Sequence, residues 1–354
     1  MKDNCSHLLN KSVMQIVAML LVFLMLTGCS TNSRSNTITT ELKEDGKTAL
    51  IPIIDEDQAE ERSKEAQKYT YEMHASDLKA DSIDLSQLGI STPEGIVVDE
   101  EKIVISDSGN NCLYAMGLHG ENLSKVGGIG NGKCEFLHPT GLTYTGGKYY
   151  VVDSGNDRIE ILDKDFGYVD QLHLPDVKFS PDDHFTSIAI DENGGIYVCG
   201  TFAKNSGIYY KSQEEQEFRR IGIGFYGSLF EDNGTVYAIN QGNIFINEKE
   251  ETFGMCGGDN SLWRIDGADL EEICTLPVGR APESFVVSGD KVTFLSSYEM
   301  GILTFDITSG SYLSTPYMYR SGKDLPDESY MTMSNNTIYI TNRNENNILI
   351  LSGE

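Results

Sequence analysis

The chain has 354 residues, of which 54 are Asp or Glu and only 27 are Lys or Arg, for a formal net charge of -27. That excess excludes nucleic acid and anionic membrane surfaces as electrostatic partners, since binding either one requires a basic face. The length is ample for one large hydrophobic core.

In chain order, Lys2 and Lys11 give a basic start, and residues 13–26 (VMQIVAMLLVFLML) form an apolar run. The run is shorter than the roughly 20 residues a spanning helix needs and suits the hydrophobic region of a signal peptide. It ends in Leu26-Thr27-Gly28-Cys29, small residues before a cysteine, which resembles the bacterial lipobox. The resemblance implies cleavage after residue 28 and a diacylglyceryl group on Cys29. Two acyl chains make a stable anchor, so the mature chain is expected on the extracytoplasmic face of the cell membrane. An ordinary signal peptide or an uncleaved anchor is the alternative. Residues 29–67 are polar and acidic apart from an apolar island at 49–54, a composition that cannot bury a core and is expected to act as a tether. The folded domain is assigned to residues 68–354.

That domain repeats one pattern six times. Pro93-Glu94-Gly95 opens an apolar run, a tight turn leads to a second run ending at Asp107, and an Asp-Ser-Gly-Asn turn (107–110) leads to a third. Pro139-Thr140-Gly141 does the same, with its Asp-Ser-Gly-Asn turn at 153–156. The residue opening the first strand falls at 95, 141, 187, 228, 284 and 330, and the residue closing the second at 107, 153, 200, 240, 296 and 342. A unit of this length carrying four short strands is the pattern of a β-propeller, whose blades bury their faces against one another. The fold class is therefore all-β, a six-bladed β-propeller. The last unit ends soon after its third strand, so the segment at 69–88 is expected to supply the missing strand and close the ring.

With these residues in place, the chain resembles the NHL-repeat propellers. The match rests on Pro93-Glu94-Gly95 and the run to Asp99, on residues 106–111 (SDSGNN), on Pro139-Thr140-Gly141-Leu142, on residues 152–163 (VDSGNDRIEILD), and on the glycine-rich link at 127–136. The resemblance is specific in the first two units and is one of pattern beyond them. It implies fold far more than function.

Asp107, Asn110, Asp153 and Asn156 are assigned structural turn roles. A carboxylate there can accept backbone N–H bonds, and Asn tolerates the left-handed region. Catalysis by the two aspartates is the alternative. Gly95 and Gly141 are expected where inner backbones crowd at the axis, and His138, just before Pro139, is expected to be a turn residue. Cys112, Cys134, Cys199, Cys256 and Cys274 show no zinc spacing and are expected as buried free thiols. A Cys112–Cys134 disulfide is the alternative that an oxidising compartment permits. Trp263 is expected between blades.

By the repeat frame, the residues lining the axis just before the inner strands are Glu94, Thr140, Thr186, Gly227, Glu283 and Ser329. Only two of them are carboxylates, so a calcium ion on the axis is poorly supplied and no cofactor is expected. Propellers of this kind include lyases and lactonases that gather histidines or carboxylates at the axis. Here no three of His74, His119, His138, His173 and His184 share an equivalent blade position, and no nucleophile elbow or phosphate loop is present. The irregular segments, at 202–206, 241–260, 297–299 and 343–344, fall on one face, where binding sites on a rigid scaffold usually reside. The expectation is a monomeric binding module that recognises a protein, peptide or glycan there, with Glu94, Glu283, Asn240, Gln241, Tyr298 and Arg343 as candidate contacts. The alternative is a metal-dependent lyase or hydrolase working at the axis.

Overall fold

A computed structural model describes residues 49–50, 78–99, 101–177, 183–201, 206–241, 243–247, 252–256, 260–276, 282–296, 301–318 and 329–353. Six four-stranded antiparallel sheets make six blades. Blade one runs Pro93–Val98, Lys102–Asp107, Cys112–Gly117 and Ser124–Val126 from the axis outward. Blade two follows with Pro139–Thr145, Lys148–Asp153, Arg158–Asp163 and Tyr168–His173. Blades three, four and five open with His184–Ile190, Gly227–Asp232 and Pro282–Ser288. Blade six has only three strands from its own stretch of chain: Met331–Ser334, Thr337–Asn342 and Asn347–Ser352. Its fourth is the N-terminal Lys79–Asp84, antiparallel to Asn347–Ser352 with Ile83 opposite Ile348. The ring is thus closed by an N-terminal strand, drawn from the segment that the sequence pattern singled out.

The strands are apolar where the architecture buries both of their faces. Ile103, Val104 and Ile105 are successive residues and all fully buried, the continuous pattern of a two-sided strand. The fourth strands, by contrast, are mostly exposed, as in Lys79–Asp84 and Tyr168–His173. The buried side chains fall into six clusters, one at each blade junction. Val97, Val104 and Leu113 meet Tyr149 and Val151 between blades one and two, and Ile105 and Tyr114 meet Tyr339 and Ile348 between blades one and six. Trp263 lies in the cluster between blades three and four, its indole N–H donating to Ser261 Oγ at 2.8 Å. Tight turns join first and second strands at Gly146-Gly147, Asn233-Gly234 and Asn335-Asn336. All six residues have positive φ, as a two-residue hairpin turn of the twisted-ribbon type requires.

Adjacent blades are also stitched near the axis by a recurring bond. In three blades a residue one or two short of the end of the second strand donates to a carbonyl at the start of the next blade's first strand. Ser106 Oγ donates to Thr140 O (2.5 Å), Cys199 Sγ to Gly227 O (3.3 Å), and Thr341 Oγ1 to Glu94 O (2.8 Å), the last across the closure. Burial pushes the Cys199 thiol well above its ordinary value, so it stays a protonated donor. Cys112, Cys134, Cys199 and Cys274 are all free.

Two features lie outside the regular frame. Asn243–Asn247 and Thr252–Cys256 form an extra hairpin between the second and third strands of blade four. Ala49–Leu50, within the stretch assigned to the tether, pairs in parallel with Gly222 and Ile223 at the outer edge of blade three.

Candidate functional site

The Asp-Ser-Gly-Asn turns hold the ends of the inner strands in place. Asp107 Oδ2 accepts from Ser91 N (2.8 Å) and Oδ1 from Thr92 N (3.0 Å) and Asn110 N (3.1 Å), while Asn110 Nδ2 donates to Asp107 and to Gly89 O. Asp153 accepts from Leu137 N at 2.7 Å and from Asn156 Nδ2 at 2.7 Å, and Asn156 donates on to Gly130 O. Each carboxylate therefore ties the segment entering its blade to the turn leaving it. In blade two a buried cation joins in. Arg158 pairs with Asp153 (2.8 Å) and Glu160 (3.1 Å) and donates to Gly132 O and Glu135 O of the glycine-rich link. Burial raises the carboxyls of both acids, and the Arg158 charge pulls them back down.

These anchored ends surround a cavity of about 470 Å³ where first strands begin and second strands end. Every blade contributes to it. Glu94 comes from blade one, His138 from blade two, and His184 and Thr186 from blade three. Tyr226, Ser228 and Gln241 come from blade four, Glu283 from blade five, and Ser329, Tyr330 and Arg343 from blade six. Five of the six residues placed on the axis by the repeat frame line the cavity. Thr140 does not: it is fully buried, and its hydroxyl donates to Phe185 O at 2.7 Å.

Of the candidate contacts, Glu94, Glu283, Gln241 and Arg343 line the cavity. Asn240 does not, because it is fully buried behind the wall, where its Oδ1 accepts from the Tyr226 amide at 3.1 Å and so holds a lining residue. The physical reason is strand alternation: Asn240 is still in the ladder, one residue before the chain turns out at Gln241. Tyr298 and Cys29 lie outside the described residues.

The sequence reading missed His184, Tyr226 and Tyr330 as wall residues. His138 and His184 are edge to face, with centroids 5.6 Å apart, and both sit two residues before the axial positions 140 and 186. That shared offset was the available signal, and a search for histidines in threes passes over a pair. His138 also has φ 54°, a left-handed turn conformation, and its amide donates to Asn111 Oδ1.

Glu94 is buried in the cavity wall, and burial pushes its carboxyl above the usual range. The Ser108 hydroxyl, which donates to Oε1, and the charges of Arg343 and His184 oppose that rise, while Asp107 adds to it. Burial, and then the negative charge of Glu94 and Glu283, pushes the Tyr330 phenol well above its ordinary value, so this hydroxyl keeps its proton. Two more wall hydroxyls, Ser228 Oγ and Ser329 Oγ, are buried with no hydrogen-bond partner among the described residues. Also among the described residues, no three His, Cys, Asp or Glu side chains are grouped to hold a metal ion.

No family model matches the sequence, and no curated protein matches it. Solved structures do match in fold. Virginiamycin B lyase from Staphylococcus aureus superposes with a TM-score of 0.52 at 15% identity, covering 78% of this chain and 99% of that one. A luciferin-regenerating enzyme gives 0.53 at 11% identity, covering 78% and 96%. At such identities the likeness concerns the fold, and the chain is a six-bladed β-propeller.

Proposed function

We propose that the chain is an NHL-type propeller that works as a binding module, anchored through a lipid on Cys29 at the extracytoplasmic side of the cell membrane, with its ligand seated in the axial cavity. The observation that carries this reading is a cavity of about 470 Å³ to which all six blades contribute polar groups. That volume lies in the range of small-ligand sites, roughly 300–1,000 Å³, and convergent polar groups fix a ligand's orientation. The bound portion is then a compact polar group: a small molecule, or the terminal residue of a peptide or glycan.

The test is a thermal-shift and calorimetry screen of the full chain in detergent against peptide and glycan fragments, repeated on Gln241→Trp, which fills the cavity from a half-buried wall position. Binding that disappears in the variant while its melting temperature stays within a few degrees supports the axial site. Binding that survives moves the site elsewhere on the face.

A second reading, a lyase or hydrolase at the axis, is favoured by one observation: a buried carboxyl held above its usual range beside a histidine and a protonated phenol, the setting in which general acids occur. On that reading Glu94→Gln binds ligand and leaves it chemically unchanged, while the parent chain consumes it. Elemental analysis after mild purification tests whether a metal takes part.

A further inference from the structure

We propose that the outer edge of blade three is a strand-docking site, that its occupant is this chain's own Ala49–Leu50 segment, and that the docked segment is a clip that shortens the tether of the ring. The docking rests on the ladder alone; the effect on reach rests also on the reading of Cys29 as the anchor.

Three observations converge. The first is the ladder. Gly222 and Ile223 are paired on both sides: inward and antiparallel with Ile208 and Gly207, outward and parallel with Ala49 and Leu50. Blade three's own four strands are joined by antiparallel ladders only. A parallel neighbour needs a long connection and cannot be a hairpin continuation, so the added strand is a separate segment brought to a finished blade.

The second is the edge. An unpaired outer strand is a template for another strand, and proteins blunt it with charge, proline or shortness. The outer strands of the other five blades each carry such a device. Ser124–Val126 has three residues, Tyr168–His173 has Asp170, and Asp269–Leu276 has Asp269, Glu271 and Glu272. Tyr312–Met318 has Pro316, and Lys79–Asp84 has Lys79, Asp81 and Asp84. In blade three the outer strand is Arg219–Ile223. Its two cations stand at the start and are engaged, Arg219 with Glu215 at 2.9 Å and Arg220 with Ser206 O. Ile221, Gly222 and Ile223 carry neither charge nor proline, and Ile221 and Gly222 are buried. Two of these unguarded rungs are the ones that Ala49 and Leu50 cover.

The third is the tether sequence. Residues 29–67 are polar and acidic except for the island at 49–54 (ALIPII), and the paired residues are the first two of that island. Pro52 has no N–H to donate, which limits how far a ladder runs past Leu50. So short a ladder is weak by itself. Its two partners belong to one chain, however, and a connection of 28 residues between Leu50 and Lys79 holds them at an effective concentration of roughly millimolar. The clip is therefore occupied and yet reversible. Ala49 lies 20 residues beyond Cys29, and Lys79 lies 50 beyond it. A fully extended chain spans at most about 3.6 Å per residue, so docking limits the reach of the ring to about 70 Å and release extends it to about 180 Å.

The experiment is hydrogen exchange on the full chain in detergent, comparing the parent with the double variant Ala49→Pro, Leu50→Pro. Both substitutions lie outside the six blades, and equal melting temperatures establish that the ring is intact. At least one amide within 221–223 is expected to exchange about ten-fold or more faster in the double variant. Ile54→Pro, beyond the paired residues, is expected to behave as the parent. Unchanged exchange in the double variant overturns the docking, and an equal effect from Ile54→Pro overturns the choice of occupant. Protection that falls on dilution, together with a shift from dimer to monomer in sedimentation, assigns the strand to a second copy and overturns the clip. Reach is read by energy transfer from a dye attached after Glu354 to acceptor lipids in vesicles that carry the anchored chain. Transfer is expected to drop in the double variant. Equal transfer, in chains whose mass shows the acyl groups, overturns the clip and leaves the docking standing. A mass without acyl groups on Cys29 overturns the reading of the anchor and with it the effect on reach, while exchange at 221–223 decides the docking.

Discussion

Blades one and two solve the crowding at the axis differently from blades three and five. At the position opening the inner strand, the first pair has Gly95 and Gly141, and the second pair has Ser187 and Ser284. A Cβ on Gly95 would run into Thr140 O and stand 2.9 Å from Leu142 N, and one on Gly141 would stand 2.7 Å from Thr186 O. In these blades neighbouring backbones touch directly. Ser187 and Ser284 instead use their side chains, Ser187 Oγ accepting from Leu229 N (3.0 Å) and Ser284 Oγ from Met331 N (2.8 Å). One repeat frame thus tolerates two chemistries, contact by bare backbone or a hydroxyl spacer. Blades one and two commit Asp107, Asp153, Arg158 and Glu160 to the fold, each with partners within the domain, and give the cavity Glu94 and His138. The less regular blades leave Gln241, Glu283, Ser329 and Arg343 facing the cavity.

The sharpest way to break this contrast is Arg158→Met. It strands two buried carboxylates, and losing one partner of a buried pair typically costs about 3–5 kcal/mol. Asp153 and Glu160 already have raised values, so the folded state holds protons that the unfolded chain releases. Their contribution is full below the ordinary carboxylate range and declines as pH rises through the raised values. Removing Arg158 raises them further, so the stability gap between variant and parent, read by urea denaturation, should widen from acidic to neutral pH.

Gly95→Ala should come next, at about 1–3 kcal/mol, because the clash is with backbone that cannot swing away. A denaturation midpoint equal to the parent's would mean that the blades can part at the axis. Ser187→Ala should be milder, about 1–2 kcal/mol for a buried amide left without its acceptor. Ser187→Gly, by contrast, tests whether blade three can close down as blade one does. The smallest effect, and opposite in sign, belongs to the cavity. Glu94→Gln keeps an acceptor for Ser108 but removes a charge that burial disfavours. Its melting temperature should exceed the parent's at neutral pH, and the gain should vanish at acid pH, where Glu94 is protonated in both states. A lower melting temperature at neutral pH would show that Arg343 and His184 outweigh burial.

Much of the architecture could be read from sequence because a repeat tests itself. Gly95, Gly141, Ser187, Ser228, Ser284 and Tyr330 stand at matched distances from the residues closing the second strands, and the same frame brought Glu94 and Glu283 to the axis. What escaped was chemistry that crosses blades. Arg158 follows an Asp-Ser-Gly-Asn turn and looks like a surface residue beside Asp157, yet it is buried because the link at 127–136 folds over it. Asn240 was misjudged by a single residue, the difference between the last rung of a ladder and the first residue beyond it. His184 was visible only by aligning its offset with that of His138. The pairing of Ala49–Leu50 with blade three depends on an edge that no local pattern announces.

The closure of the ring has a mechanical consequence. The strand Lys79–Asp84 is held to Asn347–Ser352 by one ladder and, along the chain from the proposed anchor, comes second after the two-residue pairing of Ala49–Leu50 with blade three. Tension from the anchor that outlasts that short pairing is borne by this seam, and the sheet it would peel belongs to the same blade that contributes Ser329, Tyr330 and Arg343 to the cavity. On the other side of the seam, Thr341 grips the carbonyl of Glu94. A ligand touching blades one and six at once in this cavity would act as a rivet across the joint, and the load the ring can carry would then depend on the occupancy of its cavity.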